Sequence, residues 1–189
     1  LARIAEEMYG FDRVQVRWRD WLEHGQDTSA MSSSEREALF EKYAESGRDR
    51  FNGRAVETLA PHLSQKSAAA FADNHCREAL LRSRHVHVDA AGRVMPGTCA
   101  GIVLGDASKQ TIRQIWDRLE KEYADRPVVG TLASRGPLGL LEHARSLGYR
   151  EPTDGYAGKC HLCWEIRNFL VNLGGYPQEL GPETIYRKS

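Results

Sequence analysis

The sequence has no excess of charge, no long apolar run and few cysteines. Its 26 acidic and 26 basic residues cancel, and the arginines are scattered. No phosphate-tracking surface is indicated, so nucleic acid is not an expected partner. No apolar stretch reaches the length of a bilayer-spanning helix, so we expect no membrane partner and a cytoplasmic location. Gly-x-Gly-x-x-Gly, P-loop and nucleophile-elbow motifs are also absent, which leaves phosphate binding and triad hydrolysis without support.

The chain is nevertheless long enough to bury a core. It has 189 residues, of which 41% are hydrophobic and 28% charged, an ordinary composition for a globular protein. Residues 1–52 are interpreted as the tail of a preceding domain followed by a linker, and residues 53–189 as a unit of their own. Because Leu1 opens directly into a helical pattern, we expect a further N-terminal part of the protein before it.

Apolar periodicity predicts an α+β fold, mostly helical with a small β-hairpin sheet. Residues 85–89 alternate apolar and polar side chains, a turn follows at 90–92, and residues 93–95 return, which is a hairpin signal. Helical spacing then predicts three helices. They span residues 110–124, residues 137–148 beginning at Pro137, and residues 160–173 before a Gly-Gly pair.

The four cysteines are the candidate site. Cys160 and Cys163 form a CxxC at the start of the last predicted helix, and Cys76 and Cys99 lie on either side of the hairpin. Thiolates three residues apart at a helix start project to one side and can share one ion or cluster. Four sulfur ligands make a closed tetrahedral site, as structural zinc or an iron–sulfur cluster requires.

Other interpretations of these cysteines remain open. A thioredoxin-like dithiol would need a strand before the CxxC, whereas a glycine-bearing loop precedes it. It would also give Cys76 and Cys99 no role. Buried cysteines acting as small hydrophobes would explain Cys76 or Cys99, but not a CxxC at a helix start. Zinc ribbons present two close pairs, whereas Cys76 and Cys99 are 23 positions apart. Spacing alone does not separate zinc from iron–sulfur.

A second metal-like pattern lies in the hairpin. His85 and His87 share one face of the first strand, a spacing that some mononuclear metal sites use. The preferred interpretation is an exposed face with Val86 and Val88 buried beneath it.

The order of the cysteines resembles the auxiliary-cluster region of radical SAM enzymes. This is the SPASM domain, or its shortened single-cluster form, the twitch domain. In that family one cysteine precedes a hairpin with a glycine turn and a second follows it. A helix comes next and a CxxC returns later. Cys76, Gly92, Cys99 and Cys160-x-x-Cys163 follow that order over about residues 53–175.

The hairpin also resembles the family in its Gly-x-Val-x-Pro stretch, which Gly92 to Pro96 matches. Two departures stand out. Gly97 and Thr98 intervene before Cys99, where the family cysteine directly follows the proline, and the cysteines of a second auxiliary cluster are absent after Cys163.

The resemblance implies one auxiliary 4Fe–4S cluster on Cys76, Cys99, Cys160 and Cys163, held between the hairpin flanks and the C-terminal helix. It implies electron relay or structural support rather than substrate coordination, because four thiolates leave no iron open.

The CxxxCxxC that holds the S-adenosylmethionine-cleaving cluster is absent from the chain. That cluster and S-adenosylmethionine are implied for a missing N-terminal radical SAM domain, the expected partner, acting on a peptide or small molecule. The chain alone should not be catalytic. The alternative is a zinc-stabilised, non-catalytic interaction module in which the four cysteines bind the metal.

Overall fold

The computed structural model describes residues 31–35, 38–39, 53, 56, 60–72, 75–83 and 85–186. The predicted tail and linker over residues 1–52 lie outside these ranges, except for a short helical stretch. That stretch begins with a capping box, in which the Glu35 backbone N–H donates to Ser32 Oγ at 3.3 Å and the Ser32 N–H donates to Glu35 Oε2 at 2.8 Å.

The described part of the chain has the predicted α+β architecture, helical with a small antiparallel sheet. The helices are α1 (Arg77–Leu81), α2 (Ile112–Glu122), α3 (Pro127–Ser146), α4 (Lys159–Asn172) and α5 (Glu183–Tyr186). The strands are β1 (Val86–Val88), β2 (Arg93–Pro96) and β3 (Gly105–Asp106). Short 3₁₀ turns cover Ala60–His62, Ala68–Phe71 and Tyr123–Asp125.

The sheet has β2 in the middle, with β1 and β3 antiparallel on its two sides. His87 pairs with Met95 and Val88 with Val94, so the predicted hairpin is confirmed. Asp89 closes the turn, because its Oδ1 accepts hydrogen bonds from the backbone N–H groups of Ala91 at 2.9 Å and Arg93 at 3.0 Å. The predicted burial of Val88 is wrong, since it is 49% exposed on this outer strand.

The core is formed where α3 and α4 pack against each other, joined by residues from α1, α2 and the sheet. Trp164, Ile166, Leu140 and Leu141 are fully buried there. The helix predicted from Pro137 is the second half of α3, which bends at Gly136, where φ is 66°. No helix of the described residues is long and apolar enough to cross a membrane.

Candidate metal centre

Cys76 stands at the start of α1 and is tied to α3. It is the residue that precedes the first turn of α1, and its carbonyl accepts a hydrogen bond from the Leu80 N–H at 3.0 Å. Its own N–H donates to the carbonyl of Leu132 in α3 at 2.8 Å. This backbone contact fixes the position of Cys76 against the core.

Cys99 lies in a tight turn just after β2. Its N–H donates to the Pro96 carbonyl at 3.2 Å, and its carbonyl accepts from the Ile102 N–H at 3.2 Å. Gly97 and Thr98, which separate this cysteine from Pro96, form the turn itself. The Thr98 hydroxyl lies 3.7 Å from the Cys99 sulfur, within hydrogen-bonding distance for sulfur.

Cys160 and Cys163 occupy the first turns of α4. Gly158 precedes the helix and provides no side-chain cap. The His161 ring instead accepts a hydrogen bond through Nδ1 from the Ala157 N–H at 3.0 Å. His161 therefore orients the loop that enters the helix. Thiolates at this end gain from the helix dipole.

The fold brings the four cysteines together. The Cys76 thiol interacts electrostatically with those of Cys99, Cys160 and Cys163. Cys99 and Cys163 interact in the same way, and Cys160 interacts with both. All four are free thiols. Three distant stretches of chain thus bring their thiols near one another, with Cys76 and Cys99 packed against the core that contains Cys163.

The four thiols are not arranged to bind a single metal ion without side-chain movement. Among the residues that the structure describes, no three or more His, Cys, Asp and Glu side chains are grouped so that they could hold a metal ion as they stand. Sulfur atoms on one zinc ion lie about 3.8 Å apart, given a Zn–S bond of about 2.3 Å in a tetrahedron. A single-ion site would require the thiols to turn inward.

Burial favours the protonated thiols of Cys76, Cys99 and Cys160. It raises the pKa of Cys76 to about 12 and that of Cys160 to about 11, and the neighbouring Cys163 thiol adds to both shifts. Burial also raises the pKa of Cys99. Lys159 opposes all three shifts. A metal that binds here must displace protons, so its apparent affinity depends on pH.

A buried arginine is the residue that sequence reasoning missed. Arg167 is 2% exposed, and its guanidinium interacts electrostatically with the thiols of Cys163 and Cys99. Burial opposes its charge, but Tyr186, Cys163 and Cys99 hold the guanidinium pKa above its usual value. A signal is present in the sequence, because Arg167 stands one turn after Cys163, on the helix line that continues to Leu170. The periodic pattern assigns only apolar residues to that line.

The donor set fits a thiolate-bound metal or cluster in chemistry. A centre with four thiolates carries net negative charge, and the fold supplies two cations beside it, the buried Arg167 and the half-buried Lys159. The electrostatic match therefore supports a thiolate centre. It does so equally for zinc and for iron–sulfur.

An apolar cavity of about 170 Å³ opens beside the centre. Val56, Ala60 and Leu63 line one side, and residues 157–161, which include Cys160, line the other. Its walls are almost wholly apolar, although Lys159 and His161 also line it.

Three histidines near the cysteines in sequence have exposed side chains. His85 and His87 are both exposed, with ring centres 5.7 Å apart, and His87 Nε2 lies 3.2 Å from the Gly97 carbonyl oxygen. His75 is exposed, and its carbonyl accepts a hydrogen bond from Lys159 Nζ at 3.4 Å.

Comparison with known proteins identifies no relative of this chain. No protein-family model matches the chain, and no curated protein or solved structure matches it significantly.

Proposed function

We propose that this chain binds one auxiliary 4Fe–4S cluster through Cys76, Cys99, Cys160 and Cys163. In this proposal it forms the C-terminal part of a radical SAM enzyme and serves electron relay or structural support. The observation that carries the ligand set is the packing of Cys76 and Cys99 against the core cluster that contains Cys163, with electrostatic interactions among all four thiols. The radical SAM assignment rests on the family resemblance of the cysteine order. When bound, such a cluster accepts and donates single electrons.

Different residues of the chain would bind the cluster, compensate its charge and hold its ligands in position. The four thiols would hold it, and the start of α4 would favour the thiolate form of Cys160 and Cys163 through the helix dipole. Arg167 and Lys159 would offset its negative charge. The hydrogen bond from the Cys76 N–H to Leu132 would keep that ligand in place against α3. Parent-enzyme chemistry on a peptide or small molecule would belong to the N-terminal partner domain, which would carry the CxxxCxxC.

The second candidate is a zinc-stabilised interaction module that uses the same four thiols. It is favoured by the closed set of four cysteine donors, which is common in structural zinc sites. It requires the sulfurs to close to the spacing of a single ion. A four-iron cluster is larger than one ion and holds its thiolates farther apart, so it requires less inward movement of the side chains.

Anaerobic purification followed by metal analysis tests the proposal. We expect a brown protein with sulfur-to-iron charge-transfer absorption and about four iron and four sulfide per chain. Serine replacement of Cys76, Cys99, Cys160 or Cys163 should each lower the cluster content. The matched control Ser146→Cys adds a thiol at the exposed C-terminal end of α3 and should not change it. A colourless protein with one zinc per chain would support the alternative. A reversible Cys160–Cys163 disulfide without metal would overturn both.

A further inference from the structure

Arg167 is a buried cation without a carboxylate partner. It lies in the interior of α4 and is 2% exposed. Of the ion pairs between described residues, none includes Arg167. Buried charges in folded proteins are almost always paired with an opposite charge or a metal-bound group. A cation in this position therefore indicates an anion that the fold is built to receive.

The guanidinium is held rigidly at the centre. Nη1 donates to the Ala100 carbonyl at 2.7 Å, one residue after Cys99, and to the Tyr186 hydroxyl at 2.8 Å. Its Cζ lies 5.4 Å from the Trp164 ring centre and 5.6 Å from that of Tyr186. These two rings stack on each other at 4.9 Å. The side chain consequently has little freedom to turn toward solvent.

One donor of this fixed group is unused. Nε of Arg167 is buried and has no hydrogen-bond partner among the described residues. A buried N–H without a hydrogen bond destabilises the folded state, and the cost is larger when the N–H belongs to a charged group than to a neutral one. Cys163 stands one turn earlier on the same helix, and its thiol interacts electrostatically with the guanidinium. The unused donor and the thiols thus belong to the same small region.

We infer that Arg167 is the positioning and charge-compensating residue of the metal centre. This inference rests on the proposed thiolate centre. Arg167 donates N–H···S hydrogen bonds toward the sulfur of Cys163 or a neighbouring sulfur, and its fixed positive charge favours the more reduced, more negative state. Hydrogen bonds to sulfur and nearby charge are the means by which proteins set cluster potentials. Arg167 therefore raises the reduction potential of the centre.

The test is a redox titration of the purified full chain and three variants, followed by visible absorption. Arg167→Gln removes the charge, Arg167→Lys keeps the charge without the guanidinium fork, and Tyr186→Phe removes one partner while it keeps Arg167 intact. We expect the potential to fall in the order wild type, Arg167→Lys, Arg167→Gln. The last should change the ratio of reduced to oxidised centre at least tenfold, which is about 59 mV for one electron. Tyr186→Phe should stay near wild type.

Each outcome separates the inference from the function on which it rests. A wild-type chain without a redox-active centre would overturn the proposed function. A loaded Arg167→Gln chain at the wild-type potential would overturn the inference alone. If Arg167→Gln does not fold, the Arg167→Lys variant tests the inference instead. A wild-type potential in that variant would contradict the proposed hydrogen bonds from the guanidinium to sulfur. A shift in Tyr186→Phe as large as that of an Arg167 variant would show a purely structural effect and also overturn the inference.

Discussion

The carboxylate of Glu179 accepts a hydrogen bond of 2.7 Å from the backbone N–H of Val129 in the first turn of α3. It also lies 3.4 Å from the Val128 nitrogen and 3.7 Å from the Arg126 side chain. The residue that precedes α3 is Arg126, whose side chain does not cap the helix. A residue about fifty positions away in sequence therefore caps the longest described helix, and it does so in a buried setting.

Glu179→Ala should destabilise the fold strongly. The substitution leaves two backbone donors without their acceptor and the partly buried Arg126 without its counter-charge, and breaking such a buried pair costs about 3 kcal/mol. Urea unfolding of the purified chain measures the loss. Glu142→Ala is the matched control, because its ion pair with Arg135 is exposed, with both side chains at 58%. That control should cost less than about 1 kcal/mol. Equal losses in the two variants would contradict the capping role.

Gly155→Ala should destabilise the loop that leads to Cys160. Gly155 has φ of +90°, and an added Cβ would collide with the Lys66 carbonyl oxygen, which accepts a hydrogen bond from the Tyr156 N–H at 2.8 Å. Backbone strain at such a φ costs about 1 kcal/mol or more, and the clash adds to it. Gly148→Ala is the control for strain alone, since Gly148 has φ of +94° and open space around it.

We expect Gly155→Ala to lose about 2 kcal/mol more stability than Gly148→Ala in thermal or urea unfolding. The difference isolates the collision with Lys66 from the conformational strain that both share. Similar losses would contradict the expected collision, because the Lys66 carbonyl would then move aside without measurable cost.

Local patterns predict the elements that carry strong periodicity. The hairpin is predictable because residues 85–89 alternate and a turn follows. The helix after it is predictable because Ile115 and Leu119 repeat at helical spacing, and both are buried. The last helix is predicted within one residue at each end, because a glycine loop precedes it and Gly174 follows it. These features depend on neighbours in sequence alone.

The first half of α3 escapes prediction for a physical reason. A proline after a helical pattern is expected to end that helix, but Pro127 begins α3, since a first helical position needs no N–H donor. Val128 and Val129 are β-branched and weaken the helical signal that follows. Their burial against the core outweighs that weak preference, and both are fully buried. Tertiary packing, which a local pattern does not contain, decides this segment.

The candidate site is only partly predictable for the same reason. The CxxC is a local pattern, but the proximity of Cys76 and Cys99 to it depends on contacts such as that of Cys76 with Leu132. The burial of Arg167 is not predictable from the sequence, because a single charged residue among apolar positions of a helix does not show what it contacts. Its hydrogen-bond partner Ala100 is far away in the sequence, and Tyr186 belongs to another helix.

The metal-free protein should lose stability as the pH rises from about 8 to about 10. Burial raises the pKa of Cys160 to about 11 and of Cys76 to about 12, above the ordinary value of 9.0 that the unfolded chain retains. Near and above pH 9 the folded state therefore binds more protons than the unfolded state, and stability falls with rising pH. Each thiol contributes up to about 1.4 kcal/mol per pH unit.

Urea unfolding under anaerobic, reducing conditions with a chelator, in steps from about pH 7 to about pH 10, measures this dependence. Stopping near pH 10 limits the contribution of tyrosines, since burial also raises the pKa of Tyr149 above its ordinary 10.0. The double variant Cys76→Ser/Cys160→Ser should lose most of the slope, because it removes the two groups whose pKa rises most clearly. The metal-bound protein should show the opposite trend and release metal on acidification, since protons compete for the same sulfurs. A metal-free protein whose stability is flat or rising over the alkaline half of this range would mean that these thiols are not buried together.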